Sequence, residues 1–441
     1  MINKQSQLTA ADIAALEADF DKQPQSAVIS RAIQQNGINN VARDPKAAVR
    51  TEHVFSVEVE TGGVTNQRQS GRCWLFSLTN VLRHQFAEKY GVKDFELSQS
   101  YLFFWDKIER ANIFFDRMIE TASLPTTDWT VDFYLSNPGA DGGQWAMSAA
   151  LVAKYGVVPK SVFPESNVTK NTRDLNSVLN LKLRRDGMQL RNLVNDGATD
   201  EELAAAREKM LAEVYRITGY SVGVPPETFD FEYRDDKHNY HLDQGLTPKQ
   251  FYDKYFDFNL DDYVVATNAP DKKFNQLYSL PSQNNVVGGK EIQFLNLPME
   301  TLKDAAIKQL KDGETVWFGN DVVQQSERKA GILDNHLYHF DELFNVDLQM
   351  SKAERFQYHQ ANVSHAMVLT GVDLIDDQPI RWKVENSWGE DNGEKGYFSM
   401  TDGWLDEFVY EIVINKKYLS ADQQQLLSQT PVELAPWDSL S

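Results

Sequence analysis

Apolar positions recur at three- and four-residue steps in the first half of the chain and at alternate positions in the last third. Leu75, Leu78, Leu82 and Phe86 share one face, which predicts a helix after residue 73, stopped at Tyr90-Gly91. Ile13, Leu16 and Phe20 mark an earlier helix, with Thr9 as its cap and Asp12 three residues on. Ser98 opens a third, "SQSYLFFWDKIERANIFFDRMIE". "NPGADGG" reads as a loop, and "QWAMSAALVAKYG" after it as another helix ended by Tyr-Gly. "VFSVEVE" alternates in strand period within a stretch, 37–65, that otherwise reads as irregular or extended.

Between 166 and 300 the character changes. "DEELAAAREKMLAEVYRI" predicts an amphipathic helix, "TPKQFYDKYFDF" a short aromatic-rich one, and 261–295 strands and turns. Then "ETVWFGNDV", "HAMVLTGVDLI", "IRWKVENSW", "KGYFSM" and "FVYEIVI" follow as strand-like runs. Helices early and strands late predict an α+β fold, not an alternating α/β sheet.

Composition narrows the partners. The 441 residues carry 44 Lys and Arg against 64 Asp and Glu, a net charge of −20. That balance argues against nucleic acid or an anionic membrane surface as the main partner. A short basic stretch, 182–191, is the exception; it reads as a solvated helix face or a channel lining. No run reaches the roughly 18 apolar residues of a membrane span, and the first twenty residues have no apolar signal core. A cytoplasmic protein is the expectation.

One cysteine in the whole chain, Cys73, rules out an internal disulfide and a multi-cysteine zinc site. No metal or other cofactor is expected. Cys73 stands in "NQRQSGRCWLFS", at the head of the predicted Trp74–Tyr90 helix. A helix N-terminus favours the thiolate, the nucleophilic form. Gln67, six residues upstream, offers a neutral amide donor for an oxyanion. Of eight histidines, His365 opens an apolar strand that would hold its ring rigidly. Asn386, in "KVENSWG", could accept the imidazole N–H and fix its tautomer, with Trp388 shielding that bond. Each residue alone has a plain reading: a lone cysteine is usually a small buried hydrophobe, a strand histidine a core residue. Together they fit a Cys–His–Asn order with an upstream Gln.

These segments resemble the papain-type signatures, and more closely the bleomycin hydrolase / aminopeptidase C family. Gly-Arg-Cys-Trp, "LSQSYLFFWDK", "GGQWAM", "LVAKYGVVPK", "HAMVLTGV" and "WKVENSWG" occur in that family's order, from about residue 35 onward. The resemblance implies a papain-like cysteine peptidase fold with a large mainly helical insertion. It implies Cys73 as nucleophile, His365 as general base and acid, Asn386 as its orienter, and Gln67 with the Cys73 amide as oxyanion donors. Gly142 and Gly143 match a loop that pairs with extended substrate, and Trp388 and Ser441 are the other expected substrate-binding positions. The implied organisation is an N-terminal extension packing on the core (1–60), a helical lobe with the nucleophile helix (61–165), an insertion making oligomer contacts (166–300), a β-rich lobe with the His and Asn (301–416) and a C-terminal arm directed to the cleft (417–441). The implied partners are peptide substrates and further copies of the chain in a homohexameric barrel.

The arm departs from the family pattern. Family members typically end in a segment like Pro-Trp-Asp-Pro-Met-Gly-Ala-Leu-Ala, whose carboxylate binds the substrate's α-amino group. This sequence ends "LAPWDSLS". At about 3.3 Å per extended residue, three or four fewer residues withdraw the carboxylate by roughly 10 to 14 Å. The expectation is weakened exopeptidase selectivity and some endopeptidase action on oligopeptides. The rival readings are an acyl-transferase or amidase built on the same trio, and a catalytically silent papain-like scaffold or binding protein.

Overall fold

A computed structural model of the chain describes residues 7–441. The first six residues of the expected N-terminal extension lie outside the described residues. The helices form where the apolar steps place them. Cys73–Tyr90 ends at Gly91, whose left-handed backbone (φ 65°) suits a residue without a Cβ. Gln99–Glu120 starts where the Ser98 side chain accepts the Tyr101 N–H. Trp145–Tyr155 follows the glycine loop.

The last third supplies the strands of a mixed sheet. Its centre runs Tyr263–Thr267, Val409–Asn415, Val316–Asn320, His365–Ile375, Gln378–Glu385 and Tyr397–Thr401. Gln293–Asn296 and Gln276–Ser279 extend it beyond Tyr263–Thr267, so the end of the 166–300 stretch joins the same sheet. The extended run around "VFSVEVE" shrinks to Val57–Glu58, paired with Val372 and Gly371.

Period two along the central strands loads both faces. Trp317, Ala366 and Val368 pack in one core with Trp74, Leu78, Leu82 and Trp145 of the helices. Phe318, Met367 and Leu369 pack in a second core with Leu302, Ala306 and Leu310 of the helix Met299–Lys311. The strand that carries His365 is thus fixed from both sides, and the helix that carries Cys73 packs against one of them.

Two long helices, Arg173–Asn195 and Asp200–Val222, pack on Gln99–Glu120. The basic stretch lies within the first of them. Lys182 pairs with Asp186 at 2.5 Å and Glu213 at 2.8 Å, and Arg191 donates to the Thr121 carbonyl at 2.8 Å. These cations serve the packing of the helices. The helix Ala10–Lys22 forms with the expected Thr9–Asp12 capping box, but Ile13, Leu16 and Phe20 are 49%, 61% and 58% exposed. No helix among the described residues is long and apolar enough to cross a membrane.

Candidate active site

Cys73 begins its helix at the wall of a cavity of about 360 Å³, which His365, Gly142, Gly143 and Ser441 also line. Cys73 as a residue is half-buried. Burial by its surroundings pushes the pKa of the thiol up, and the backbone N–H groups of Ala366, Trp74 and Cys73 itself oppose this by favouring the anion. The helix end and the strand after His365 therefore both aim donors at the sulfur. In the resting cleft burial outweighs them, where sequence reasoning expected a lowered value.

His365 is nearly enclosed, and burial depresses its imidazole to about 4, with Arg328 acting in the same direction. Its Nε2 lies 2.9 Å from Asn386 Oδ1. The Ser387 N–H donates to that same Oδ1 at 2.8 Å, so the atom is the amide oxygen, an acceptor. Nε2 of His365 must then carry the hydrogen, which leaves Nδ1 as the free base. The Trp388 ring stacks on the imidazole with centroids 4.7 Å apart. The structure places Trp388 over the His365 ring.

Gln67 is buried and held from two sides. Its Oε1 accepts from Ser387 Oγ at 2.6 Å, and its Nε2 donates to the Ser70 carbonyl at 2.6 Å. An amide nitrogen has two hydrogens, so one remains for a ligand. Ser387 thereby ties the Gln67 loop to the Asn386 turn, a role that its sequence neighbours do not advertise.

The glycine loop is pinned by residues that sequence reasoning missed. Lys107 Nζ donates to the carbonyls of Gly139 at 3.1 Å and Ala140 at 2.8 Å, and to Asp141 Oδ1 at 2.8 Å. Asp141 is buried, which alone would raise its pKa, yet Lys107 holds it at about 2. The Trp74 indole N–H donates to the Asp141 carbonyl at 2.7 Å. A Cβ on Gly143 would stand 2.7 Å from the Trp74 ring, so only glycine lets this loop lie against the residue after the nucleophile. A lysine and an aspartate thirty-four positions apart give no periodic signal.

The C-terminal arm reaches the cleft. Leu440 is fully buried, its carbonyl accepts from Gln144 Nε2 at 3.1 Å, and Lys272 binds Asp438 at 3.1 Å and Ser439 Oγ at 3.0 Å. Ser441 follows at the cavity wall.

With this geometry in place, comparison with known proteins gives a family. The model of the Peptidase C1-like family matches residues 7–441. The chain belongs to the Peptidase C1-like family. Its fold is the papain-like α+β arrangement: a helical side presents the cysteine and a β-rich side the histidine and asparagine. Members similar to it include Aminopeptidase G of Lactobacillus delbrueckii subsp. lactis, 54% identical over 99% of both chains. Aminopeptidase C of Lactobacillus helveticus is 46% identical, covering 97% of this chain and 96% of that one. A crystal structure of PepW from Lactobacillus rhamnosis HN001 is 50% identical, with a TM-score of 0.97 and 98% of each chain covered. The resemblance read from the peptidase motifs is borne out at the level of the family and of the whole chain.

Proposed function

We propose that this protein is a cysteine aminopeptidase that cleaves short peptides through a thioester acyl-enzyme. The observation that carries the reading is the pairing of His365 with Asn386 at 2.9 Å in the cavity that Cys73 opens into. Proton transfer from Cys73 to Nδ1 of His365 creates the thiolate. Burial disfavours each charge alone, and forming both together lets each compensate the other. The thiolate attacks the scissile carbonyl, and Gln67 Nε2 with the Cys73 N–H receives the oxyanion. His365 protonates the leaving amine, then activates water to release the acyl group. Gly142 and Gly143 offer backbone to an extended peptide, and Trp388 keeps water from the His365–Asn386 bond.

The arm Asp438–Ser441 supports an exopeptidase mode, because it takes up one end of the space that a longer peptide would need. The place of Ser441 at the cavity wall speaks against a withdrawn carboxylate, and so against the endopeptidase action argued from it. We further assign the chain to a cytoplasmic homohexamer, supported by the family resemblance and by the uncovered apolar stripe of Ile13, Leu16 and Phe20. The insertion would supply contacts between copies.

Labelling by a thiol-directed epoxide tests the mechanism: one equivalent is expected, lost in Cys73→Ala together with all cleavage. Unaltered cleavage in Cys73→Ala overturns it. Comparing free-amine with N-acetylated peptides tests the mode. Abolition of cleavage by the acetyl cap means a strict aminopeptidase and removes the endopeptidase component.

A further inference from the structure

Asp141 sets a negative charge beside a thiol that has to ionise. Its Oδ2 accepts the Gly71 N–H at 3.2 Å and the Thr172 hydroxyl, and its backbone carbonyl accepts the Trp74 indole N–H at 2.7 Å. Gly71 lies two residues before Cys73 and Trp74 one after it, so Asp141 holds the chain on both sides of the nucleophile. The approach is close: a Cβ on Gly71 would stand 2.7 Å from the Asp141 Cβ. Closeness has an electrostatic consequence, because the Asp141 charge opposes formation of the Cys73 thiolate.

Lys107 answers that charge. It is buried, and its Nζ donates to Asp141 Oδ1 at 2.8 Å and to the carbonyls of Ala140 and Gly139 at 2.8 and 3.1 Å. Three acceptors take three hydrogens, so Nζ is the ammonium. Among the described residues it is the one cation paired with Asp141. The other charged groups around the thiol are committed or lie across the cavity. Arg72 is held by Glu165 and Arg110 by Asp106, while Arg117 donates to the carbonyls of Pro281 and Asn284. His365 is the proton acceptor, and the Ser441 terminus and Glu411 line other parts of the wall. Burial pushes the Glu411 carboxyl up to about 8, so it is mostly uncharged at neutral pH.

We propose that Lys107 and Asp141 are positioning residues for the Cys73 nucleophile: the aspartate ties the head of its helix to the glycine loop, and the lysine cancels the charge that the aspartate sets against the thiolate. This rests on the peptidase reading above. The two members have opposite electrostatic effects on one sulfur. The geometry needs the carboxylate, the carboxylate hinders ionisation of the thiol, and the buried ammonium removes the hindrance while pinning the same loop through two carbonyls.

The test follows the rate of Cys73 alkylation by iodoacetamide against pH in the full-length protein. Its lower inflection reports thiolate formation by the Cys73–His365 pair. Asp141→Asn removes the negative charge and keeps an acceptor for the Gly71 N–H, so the inflection is expected to fall by about one pH unit. Lys107→Met leaves the Asp141 charge unopposed, and the inflection is expected to rise by about one pH unit. The double variant carries neither charge and is expected to fall between the two. Opposite signs separate this role from packing, which would move neither inflection or move both the same way. Shifts of the same sign, or shifts both smaller than about 0.3 pH unit, overturn the proposal. If only one of the two charge variants folds, the sign of its shift decides. If neither folds, the near-isosteric Thr172→Val decides: losing a donor to Asp141 is expected to raise the inflection by about 0.5 pH unit, and an unmoved inflection overturns the proposal. Epoxide labelling of the wild type keeps the two readings apart. A Cys73 inert to the epoxide overturns the peptidase reading and the proposal with it, whereas a labelled Cys73 with unmoved inflections overturns the proposal alone.

Discussion

Asn386 and His365 share one hydrogen bond, 2.9 Å long, that decides which nitrogen of the imidazole faces the thiol. The acceptor is identified by a second donor, the Ser387 N–H at 2.8 Å. Everything the pair does chemically depends on this tautomer, since the other one would point an N–H at the sulfur and leave no base.

Asn386→Ala removes the acceptor and leaves the ring free to exchange tautomers. The expected result is a fall in kcat/KM of about 10- to 100-fold, with Cys73 still open to alkylation. Steady-state kinetics and alkylation rates measured on one preparation check both halves. Unchanged kcat/KM would show that packing alone orients the ring.

Trp388 acts on the same ring through solvent. Burial is the main reason that the His365 imidazole sits at about 4, against an ordinary 6.5. Trp388→Ala opens one face of the ring to water, so its pKa is expected to climb toward 6.5. The sign follows: the imidazolium carries the charge, and water stabilises it more than the indole face does. Between pH 4 and 6.5 the variant should hold more proton than the wild type, and titration of the ring by NMR reads this directly. A value that stays near 4 in the variant would assign the depression to Arg328 and the remaining protein instead.

Gly142 and Gly143 are neighbours with different reasons for being glycine. An alanine Cβ at 143 meets the Trp74 ring at 2.7 Å, while one at 142 meets nothing within 4 Å. Gly143→Ala is therefore expected to lower stability by about 1 to 3 kcal/mol, and Gly142→Ala to leave the melting temperature close to that of the wild type. Gly142 lines the cavity, so its substitution is expected to act on KM. Equal melting temperatures for the two variants would contradict the close approach at Trp74.

How much of this was legible beforehand depends on the range of the interaction. The helix at Cys73 and the strand at His365 were readable because their apolar periods are local and their ends carry Gly91 or turn residues. The trio could be assembled from residue types and order. The long helix Arg173–Asn195 was not foreseen as one element, because its many polar positions and the internal Gly187 weaken the pattern, while buried Leu175, Leu179, Leu183 and Leu190 sustain it. The stripe Ile13, Leu16, Phe20 was read as one face of a helix, and the described chain leaves that face exposed; a period reports that a face is apolar, not what covers it. Lys107 and Asp141 could not be found at all. Their meaning lies in burial and in the presence or absence of a partner, which only the folded chain defines.

Arg72, directly before the nucleophile, is fully buried and forms a two-pronged ion pair with Glu165. Its two terminal nitrogens donate to the two oxygens of Glu165 at 3.0 and 2.9 Å, and one of them also donates to the Thr169 carbonyl at 2.7 Å. Burial works to raise the Glu165 pKa, but the hydrogen bonds and charge of Arg72 prevail and hold it below the ordinary 4.5. A carboxylate lowered in the folded state contributes stability that is complete above its unfolded value and is lost as pH falls through the folded one. Arg72→Ala strands Glu165 as a partly buried unpaired charge, at a cost of about 3 to 5 kcal/mol. The deficit should be largest at neutral pH and shrink as pH falls toward and below 4.5, because a carboxyl raised in the folded chain takes up a proton more readily there than in the unfolded one. Arg72→Lys is expected to recover only part of this, because an ammonium cannot reproduce the two-pronged contact. Thermal melts from pH 3 to 8 check the order wild type, Lys, Ala. Should the Lys variant match the wild type throughout, the planar geometry of the pair would have no weight, and the start of the Cys73 helix would be anchored by charge alone.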